Sequence, residues 1–400
     1  MNEIAWSARA EELLPDLVAL RRAIHAEPEL GLHNPLTRDK IRAALDGLPL
    51  AWRSGPSTTG LIAILEGARP GRTVLLRGDT DALPMPEETG LDFASRFAGV
   101  MHACGHDSHA AMLVGACKLL AARREEIAGR VMFMFQPGEE GHHGARFMIE
   151  DGLLDPLPDA AFALHVMPNA PHGVLSARAG AMLASSDRFI VEVTGRGGHA
   201  AMPHDALDPV PVACEIVLAL QTFVARRIPV ADPAVLTVGQ IVAGTTDNVI
   251  ADTARLLGTI RTLSPRSRGT MLEALERIAI GIARTHEMDA SVTHIEGFPV
   301  TMNDPRAVSL AERVVGDMFG HDSWMTMPAA NMGAEDFSYV LEKVPGAMIF
   351  LGASQHGSDW KSCCALHSTG MVLDESVMAR GAALHAAIAT RFLEKGFEDQ

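Results

Sequence analysis

"GRVMFMFQPGEEG" (residues 129–141) poses the fold question for this chain: an apolar run from Val131 to Phe135 stops at a Gln-Pro-Gly turn, with Glu139 and Glu140 just beyond. A short, uninterrupted apolar run bounded by a turn reads as a buried strand. Two further runs share the pattern. "TVLLRG" (73–78) is followed by Asp79-Thr80-Asp81, and "AAFALHV" (160–166) carries His165 near its end. Between the first two lies a helical stretch over roughly 107–124, with Asp107 expected as its N-cap. Strands alternating with helices imply an α/β unit with a mostly parallel central sheet. Ligands of such sheets gather beyond the carboxyl ends of the strands. Asp79, Asp81, Glu139, Glu140 and His165 all fall there, as does the loop holding His367 after the strand "AMIFLGA".

Residues 186–297 follow another order. "RFIVEVTG" reads as a strand, "DPVPVACEIVLALQTFVARR" as a helix, and "AVLTVGQIVAG" and "ARLLGTIRTL" as two strands. The helix "SRGTMLEALERIAIGIARTH" and the strand "DASVTHIEG" complete the set. This β-α-β-β-α-β series is that of a ferredoxin-like sandwich, whose ends lie close enough for insertion into another domain. The expected architecture is therefore one α/β domain over 1–185 and 298–400, interrupted by a smaller domain over 186–297. Helices are expected at 304–320, 334–343 and 374–395.

Four hundred residues, 48% of them hydrophobic and 21% charged, suffice for two cores. A formal charge of −15 argues against nucleic acid as a partner, because phosphate binding is built on Lys and Arg. No apolar run approaches the ~18 residues of a membrane span, and the N-terminus has no signal-peptide pattern. Five irregularly spaced cysteines point to reduced thiols and a cytoplasmic location.

The polar residues at the strand ends each have a bland and a chemical reading. Cys104-Gly105-His106 can turn a thiolate and an imidazole toward one cation, or form an activated Cys–His nucleophile. Adjacent carboxylates such as Glu139 and Glu140 repel unless a positive charge lies beside them; one could ligate a metal and leave the other as a base. His165 and His367, taken alone, are as consistent with core or loop histidines as with ligands. His142 and His143 read as exposed loop residues, and the Cys363-Cys364-x-x-His367 pattern is set aside because adjacent cysteines seldom reach one ion. In residues 186–297, glycines in "GRGGHAAMPH" (195–204) bring His199 forward, Asn248 lies in "TTDNVIAD", and Arg261 offers a local cation for a carboxylate.

Taken together, these residues resemble the M20 family of metallopeptidases and amidohydrolases, in its aminoacylase, hippurate hydrolase and indoleacetyl-amino-acid hydrolase branch. The resemblance runs from "RRAIHAEPELG" (21–31) through "GDTDALP", "MHACGHDSHAAMLVGA", "FQPGEEG", "LHV", "GRGGHAAMPH" and "NVI" to "MGAEDFSYV" and "LHS". It implies two divalent metal ions per subunit, held by Cys104, His106, Glu140, His165 and His367, with Glu139 as general base. It also implies that Asp81 supports a metal ligand from behind and that His199 helps hold the substrate carbonyl, reaching a neighbouring subunit's site. Asn248 and Arg261 would serve the carboxylate end, and the inserted domain would be a dimerising lid. Cys104 stands where relatives often carry a carboxylate, which leaves zinc, manganese, cobalt and nickel open. The implied reaction is hydrolysis of an N-acyl amino acid, with hippurate-like acyl groups leading. N-acetyl-diaminopimelate, auxin conjugates and toxin amides are the alternatives within the family. A Cys104–His nucleophilic hydrolase and a non-catalytic metal-binding relative are the alternatives outside it. Asp107, His102 and His109 are expected to cap, support or pack beside the site.

Overall fold

The computed structural model describes residues 4–362 and 364–397. The helices are α1 (Ile4–His25), α2 (Pro35–Ala44), α3 (His106–Ala121), α4 (Gly144–Glu150), α5 (Pro209–Arg227), α6 (Pro265–Thr285), α7 (Pro305–Phe319), α8 (Ser338–Leu341) and α9 (Val377–Lys395). The chain divides into two compact units. One runs to Met182 and resumes over Met302–Ala329 and from Asp336 onward; the other comprises Leu183–Thr301 and Ala330–Glu335.

The first unit is built on an eight-stranded sheet. Its chain-order strands are β1 (Leu50–Ser54), β2 (Leu61–Glu66), β3 (Arg69–Asp79), β4 (Ala128–Gln136), β5 (Ala160–Met167) and β6 (Leu175–Ala177), with Trp324–Thr326 and Gly346–Gly352 added late. The spatial order is β1-β2-β4-β3-β5, then Gly346–Gly352, β6 and Trp324–Thr326. The centre is parallel: β4 with β3, β3 with β5, and β5 with Gly346–Gly352. Antiparallel β1 and β2 close one side. The central strands are buried on both faces, as their unbroken apolar runs require.

Helices α1, α3 and α9 pack together, and α3 and α9 also lie against β3. Every residue of α3 from His106 to Cys117 is buried, so this helix is apolar nearly all round and has neighbours on every side. Gly115 makes that packing possible, since a Cβ there would meet Ala382 at 2.8 Å and Leu17 at 2.9 Å.

The second unit is a four-stranded antiparallel sheet in the order Ala234–Ala243, Thr253–Thr262, Asp187–Thr194, Asp289–Ile295. With α5 and α6 packed on it, this is the expected β-α-β-β-α-β series. Asp187–Thr194 alternates buried and less buried residues, the mark of a sheet covered on one face. Phe189, Val191 and Val193 meet Val212, Ile216 and Leu220 of α5 and Met271 and Leu275 of α6 in one core. Helices α5, α6 and α7 start alike: Asp208, Ser264 or Asp304 accepts a backbone N–H bond and a proline follows at the first helical position.

Three expectations are corrected. The helix expected over 334–343 is only the short α8, Ser338–Leu341. Asp107 is not an N-cap: α3 begins one residue earlier, at His106, behind Gly105, and Asp107 turns into a buried ion pair with Arg21. A buried guanidinium draws a carboxylate more strongly than free helix amides do. Finally, α5 is long and apolar enough, at 19 residues and mean hydropathy 1.3, to cross a membrane by length and composition. It nevertheless buries Val212, Ala213, Ile216 and Leu220 against the sheet and ends in Arg226 and Arg227.

Candidate metal centre

Four segments of the first unit converge beyond the carboxyl ends of β3, β4 and β5. The loop entering α3 carries Cys104 and the first residue of α3 is His106, the turn after β4 carries Glu139 and Glu140, His165 lies near the end of β5, and the loop before α9 carries His367. Gly105 allows Cys104 and His106 to face one point. Its φ is +85°, and a Cβ there would strike Val166 at 2.5 Å. His367 is held in the left-handed region at φ 61°, and its N–H donates to the Ala103 carbonyl at 2.9 Å. That bond ties the late loop to the early one.

The donor atoms form three overlapping groups, each with all atoms within 4.8 Å of one another: Cys104, His106 and His165; Cys104, Glu140 and His367; His106, Glu139 and Glu140. Hydrogen bonds behind the ring nitrogens settle which face each imidazole presents. His106 Nδ1 lies 2.8 Å from the Asp81 carbonyl oxygen, which can only accept, so Nδ1 carries the proton and Nε2 presents its lone pair. That Nε2 is buried and has no hydrogen-bond partner. His165 Nδ1 donates to the Val166 carbonyl at 2.8 Å, leaving its Nε2 3.4 Å from Cys104 Sγ. Glu140 Oε1 is also buried and is paired with His367 Nε2 at 3.2 Å. Unsatisfied imidazole lone pairs, a thiol and carboxylates around one spot are the donor set of a divalent cation of intermediate softness. The residues present fit such a group.

Electrostatics agrees. Burial pushes the Cys104 thiol up, so without a cation it is not a thiolate. Hydrogen bonds from the Cys104 and Glu140 side raise His367 to about 10. Burial opposes ionisation of Glu140, but the His367 bond and the nearby imidazoles hold its carboxyl below the usual range. In the cation-free site the protonated His367 thus balances the Glu140 carboxylate, a place that a metal would take on displacing the His367 and Cys104 protons.

Asp81 is 1% exposed, and its carboxylate accepts the N–H groups of both Glu139 and Glu140 at 3.0 Å. It also lies 3.4 Å from His106 Nδ1. Its strongest bonds are thus to the acidic turn, with the imidazole second.

Two buried networks beside these residues escape sequence reading. In the first, the Val166 N–H donates to His109 Nε2 at 2.9 Å, and His109 Nδ1 therefore donates to Asp79 at 2.6 Å. Asp79 is itself paired with Arg77 at 2.6 Å, and Arg77 reaches Asp336. The available signal was Arg77 and Asp79 two residues apart near the end of an apolar strand, on one face. In the second, Asp107 accepts from Arg21 at 2.7 Å and from His25 at 2.8 Å, and His25 also meets Glu87 at 3.1 Å. These carboxylates raise His25 to about 9 although burial opposes it. His102, wholly buried with neither ring nitrogen hydrogen-bonded, is pushed down to about 3 by burial.

The remaining candidates lie elsewhere. His142 is exposed, whereas His143 Nδ1 bonds the Tyr339 hydroxyl at 2.9 Å. Cys364 bonds the Val372 backbone, and Cys363 lies outside the described residues. In the second unit, His199 pairs with Val249 in a two-residue ribbon, and the Asn248 carbonyl accepts the Ala200 N–H. The Ala201 N–H donates to His199 Nδ1 at 3.1 Å. The proton of the neutral ring is then on Nε2, able to donate to an oxygen. Arg261 is half-buried and bonds Thr259 Oγ1 and the Ile260 carbonyl, with burial pulling its pKa below the ordinary arginine value.

The sequence model of peptidase family M20/M25/M40 matches residues 75–391. The chain belongs to this family. Among its M20 relatives, a thermostable carboxypeptidase of Saccharolobus solfataricus is 35% identical, over 95% of this chain and 96% of that one. An IAA-amino acid hydrolase of Arabidopsis thaliana (ILR1-like 4) is 36% identical, over 96% and 88%. The solved structure of the Bacillus subtilis YXEP protein, described as a dinuclear metal binding peptidase of the M20 family, superposes with a TM-score of 0.82 at 32% identity, covering 96% of this chain and 99% of that one. This M20 chain is accordingly a hydrolase of the amidohydrolase type.

Proposed function

We propose that this M20 hydrolase binds two divalent ions through Cys104, His106, Glu140, His165 and His367 and releases a free amino acid from an N-acyl amino acid. The observation that carries the reading is the overlap of the donor groups. Cys104, His106 and Glu140 each belong to two of these groups, and the buried His106 Nε2 has no hydrogen-bond partner among the described residues. Overlap of this kind suits two neighbouring cations better than one. When bound, such ions supply Lewis acidity for the amide carbonyl and lower the pKa of water. The superposable Bacillus protein, a dinuclear metal binding peptidase, and the Arabidopsis relative, an IAA-amino acid hydrolase, support it.

The chain's own residues supply the rest. Glu139, buried and within reach of the same donors, takes the proton of the attacking water and returns it to the leaving amine. Asp81 holds the Glu139-Glu140 turn rigid for that task. His199, protonated on Nε2, donates to the carbonyl oxygen where negative charge develops. Arg261, with no ion-pair partner among the described residues, takes the substrate carboxylate and so orients the scissile bond, with Asn248 beside His199 assisting. Hippurate-like aromatic acyl groups are the leading substrates, ahead of acetyl, auxin or toxin amides.

A Cys104 nucleophile is disfavoured, because its thiol is 7% exposed and burial raises its pKa. The second unit offers a homodimer contact through the edge strand Ala234–Ala243, where Ile241 and Val242 are about half exposed. The described cysteines are free thiols, which fits a reducing cytoplasm. The test is a hydrolysis screen over N-acyl amino acids, varying acyl group and amino acid separately, before and after chelation and with each divalent metal restored. Activity that survives exhaustive chelation, with a trapped acyl-enzyme, would overturn the metal reading.

A further inference from the structure

A cavity of about 310 Å³ lies where α1, α7 and α9 meet the loop at His172, and it contains none of the residues assigned above. Two buried polar atoms without hydrogen-bond partners among the described residues, Ser7 Oγ and Arg380 Nε, belong to residues that line it. A buried donor left without an acceptor is costly, so an orphaned pair in one cavity marks a place for a ligand or water. Arg380 is held in place: its guanidinium carbon stacks 3.9 Å from the Phe319 ring centroid, and Nη1 lies 3.5 Å from the point where a Gly173 Cβ would stand. Burial pulls this guanidinium below its ordinary pKa. An arginine in that state is preorganised for a carboxylate, which it can grip with two parallel N–H bonds.

A second charge on the lining narrows the ligand. Glu11 also lines the cavity, one helical turn along α1 from Ser7 and on the same face. It would repel a phosphate or a dicarboxylate but attract an ammonium group. Met318, Val377 and Ala379 supply an apolar wall. The volume is at the lower end of the ~300–1,000 Å³ range of small-molecule sites.

We propose that this cavity binds a free amino acid, with the carboxylate on Arg380 and Ser7 and the ammonium group on Glu11. If the proposed hydrolysis is correct, the ligand is the reaction's product class, and the cavity is a second place where that product is sensed. The binding does not depend on that reading.

The test is calorimetric titration of the full-length, metal-loaded protein with the standard amino acids. Each is paired with the amine lacking the carboxylate and the acid lacking the amine. One binding event is expected that prefers the zwitterion over both analogues by at least tenfold. Arg380→Gln should remove that event, and Glu11→Gln should abolish the preference over the deaminated acid. Ser7→Ala should weaken binding several-fold. All three variants should keep wild-type hydrolysis in the absence of added amino acid. Should Arg380→Gln not fold, Glu11→Gln and Ser7→Ala decide the matter, since Glu11 is exposed and Ser7→Ala removes a single oxygen from a helix. Binding unchanged in all variants that fold, or no binding event beyond competitive product inhibition, overturns the proposal. Equal binding of inorganic phosphate overturns the amino-acid assignment in favour of a plain anion site.

Discussion

The Asp81 carboxylate accepts one hydrogen bond from the Glu139 amide and one from the Glu140 amide, each at 3.0 Å, one on each oxygen. A single acid thereby fixes two consecutive residues with different proposed tasks. Asp81→Asn keeps the size but replaces one acceptor with a donor facing an N–H group. We expect kcat to fall about 10- to 100-fold, with KM nearly unchanged and some loss of bound metal. Steady-state kinetics with metal analysis on the same preparation checks this. Wild-type kcat would show that the turn holds its shape without that acid.

Glu139→Ala removes the proposed proton carrier without removing a proposed ligand. Loss of at least 10²-fold in kcat is expected, while metal content stays near that of the wild type. Retained turnover would sink the assigned base. Joint loss of activity and metal would move Glu139 into the ligand set.

Metal binding should release protons. In the cation-free site the Cys104 thiol is raised by burial, and His367 is raised to about 10 by its Cys104 and Glu140 bonds, so both are protonated at neutral pH. A ligand must be deprotonated to bind. Titration of divalent metal into chelator-treated protein should therefore show an enthalpy that scales with the buffer's ionisation enthalpy, and affinity should rise with pH. A buffer-independent enthalpy would be incompatible with these two ligands.

His25 predicts an alkaline loss of stability. Its folded pKa of about 9 is above the ordinary histidine value of 6.5, so the protonated ring stabilises the fold fully below pH 6.5. That contribution, on the order of 3 kcal/mol, is lost as pH rises through 9. Glu87 describes the same contact from the acid side. Its carboxyl is held down to about 2 by bonds from His25, Thr89 and Ser95 against the effect of burial, so its contribution is lost as pH falls through about 2. Urea unfolding from pH 6 to 10 should show a decline for the wild type that is absent in His25→Gln. Parallel declines in both proteins would remove His25 as the cause.

Should His199 serve a partner subunit's site, mixing inactive His199→Ala and Glu139→Ala proteins should restore part of the activity through hybrid dimers. No recovery, with hybrids verified by native mass spectrometry, would place His199 in its own chain's chemistry.

The donor residues were legible because strand-end positions in an α/β sheet carry side chains toward one edge, so Asp81, Glu139, Glu140 and His165 could be read as neighbours from apolar run lengths alone. Asp107 was misread because a helix-start position looks the same whether its carboxylate caps the helix or meets a guanidinium from 86 residues earlier. The protonation pattern of His106, His109 and His165 left no trace in the sequence. It depends on the Asp81 carbonyl, the Val166 N–H and the Val166 carbonyl, and every residue has those backbone groups. The short α8 was overcalled from a polar pattern that holds only four helical residues.

By itself, the sequence determined the two kinds of layer and the chemical types of side chain that stand at the strand ends. These follow from apolar periodicity and residue chemistry, which are local. Tertiary structure alone decided which nitrogen of each imidazole faces the centre, which acid pins the acidic turn, and that Arg380 and Ser7 line one cavity. Those outcomes depend on contacts between residues distant in the chain, whose energies are set by burial and by the direction of single hydrogen bonds.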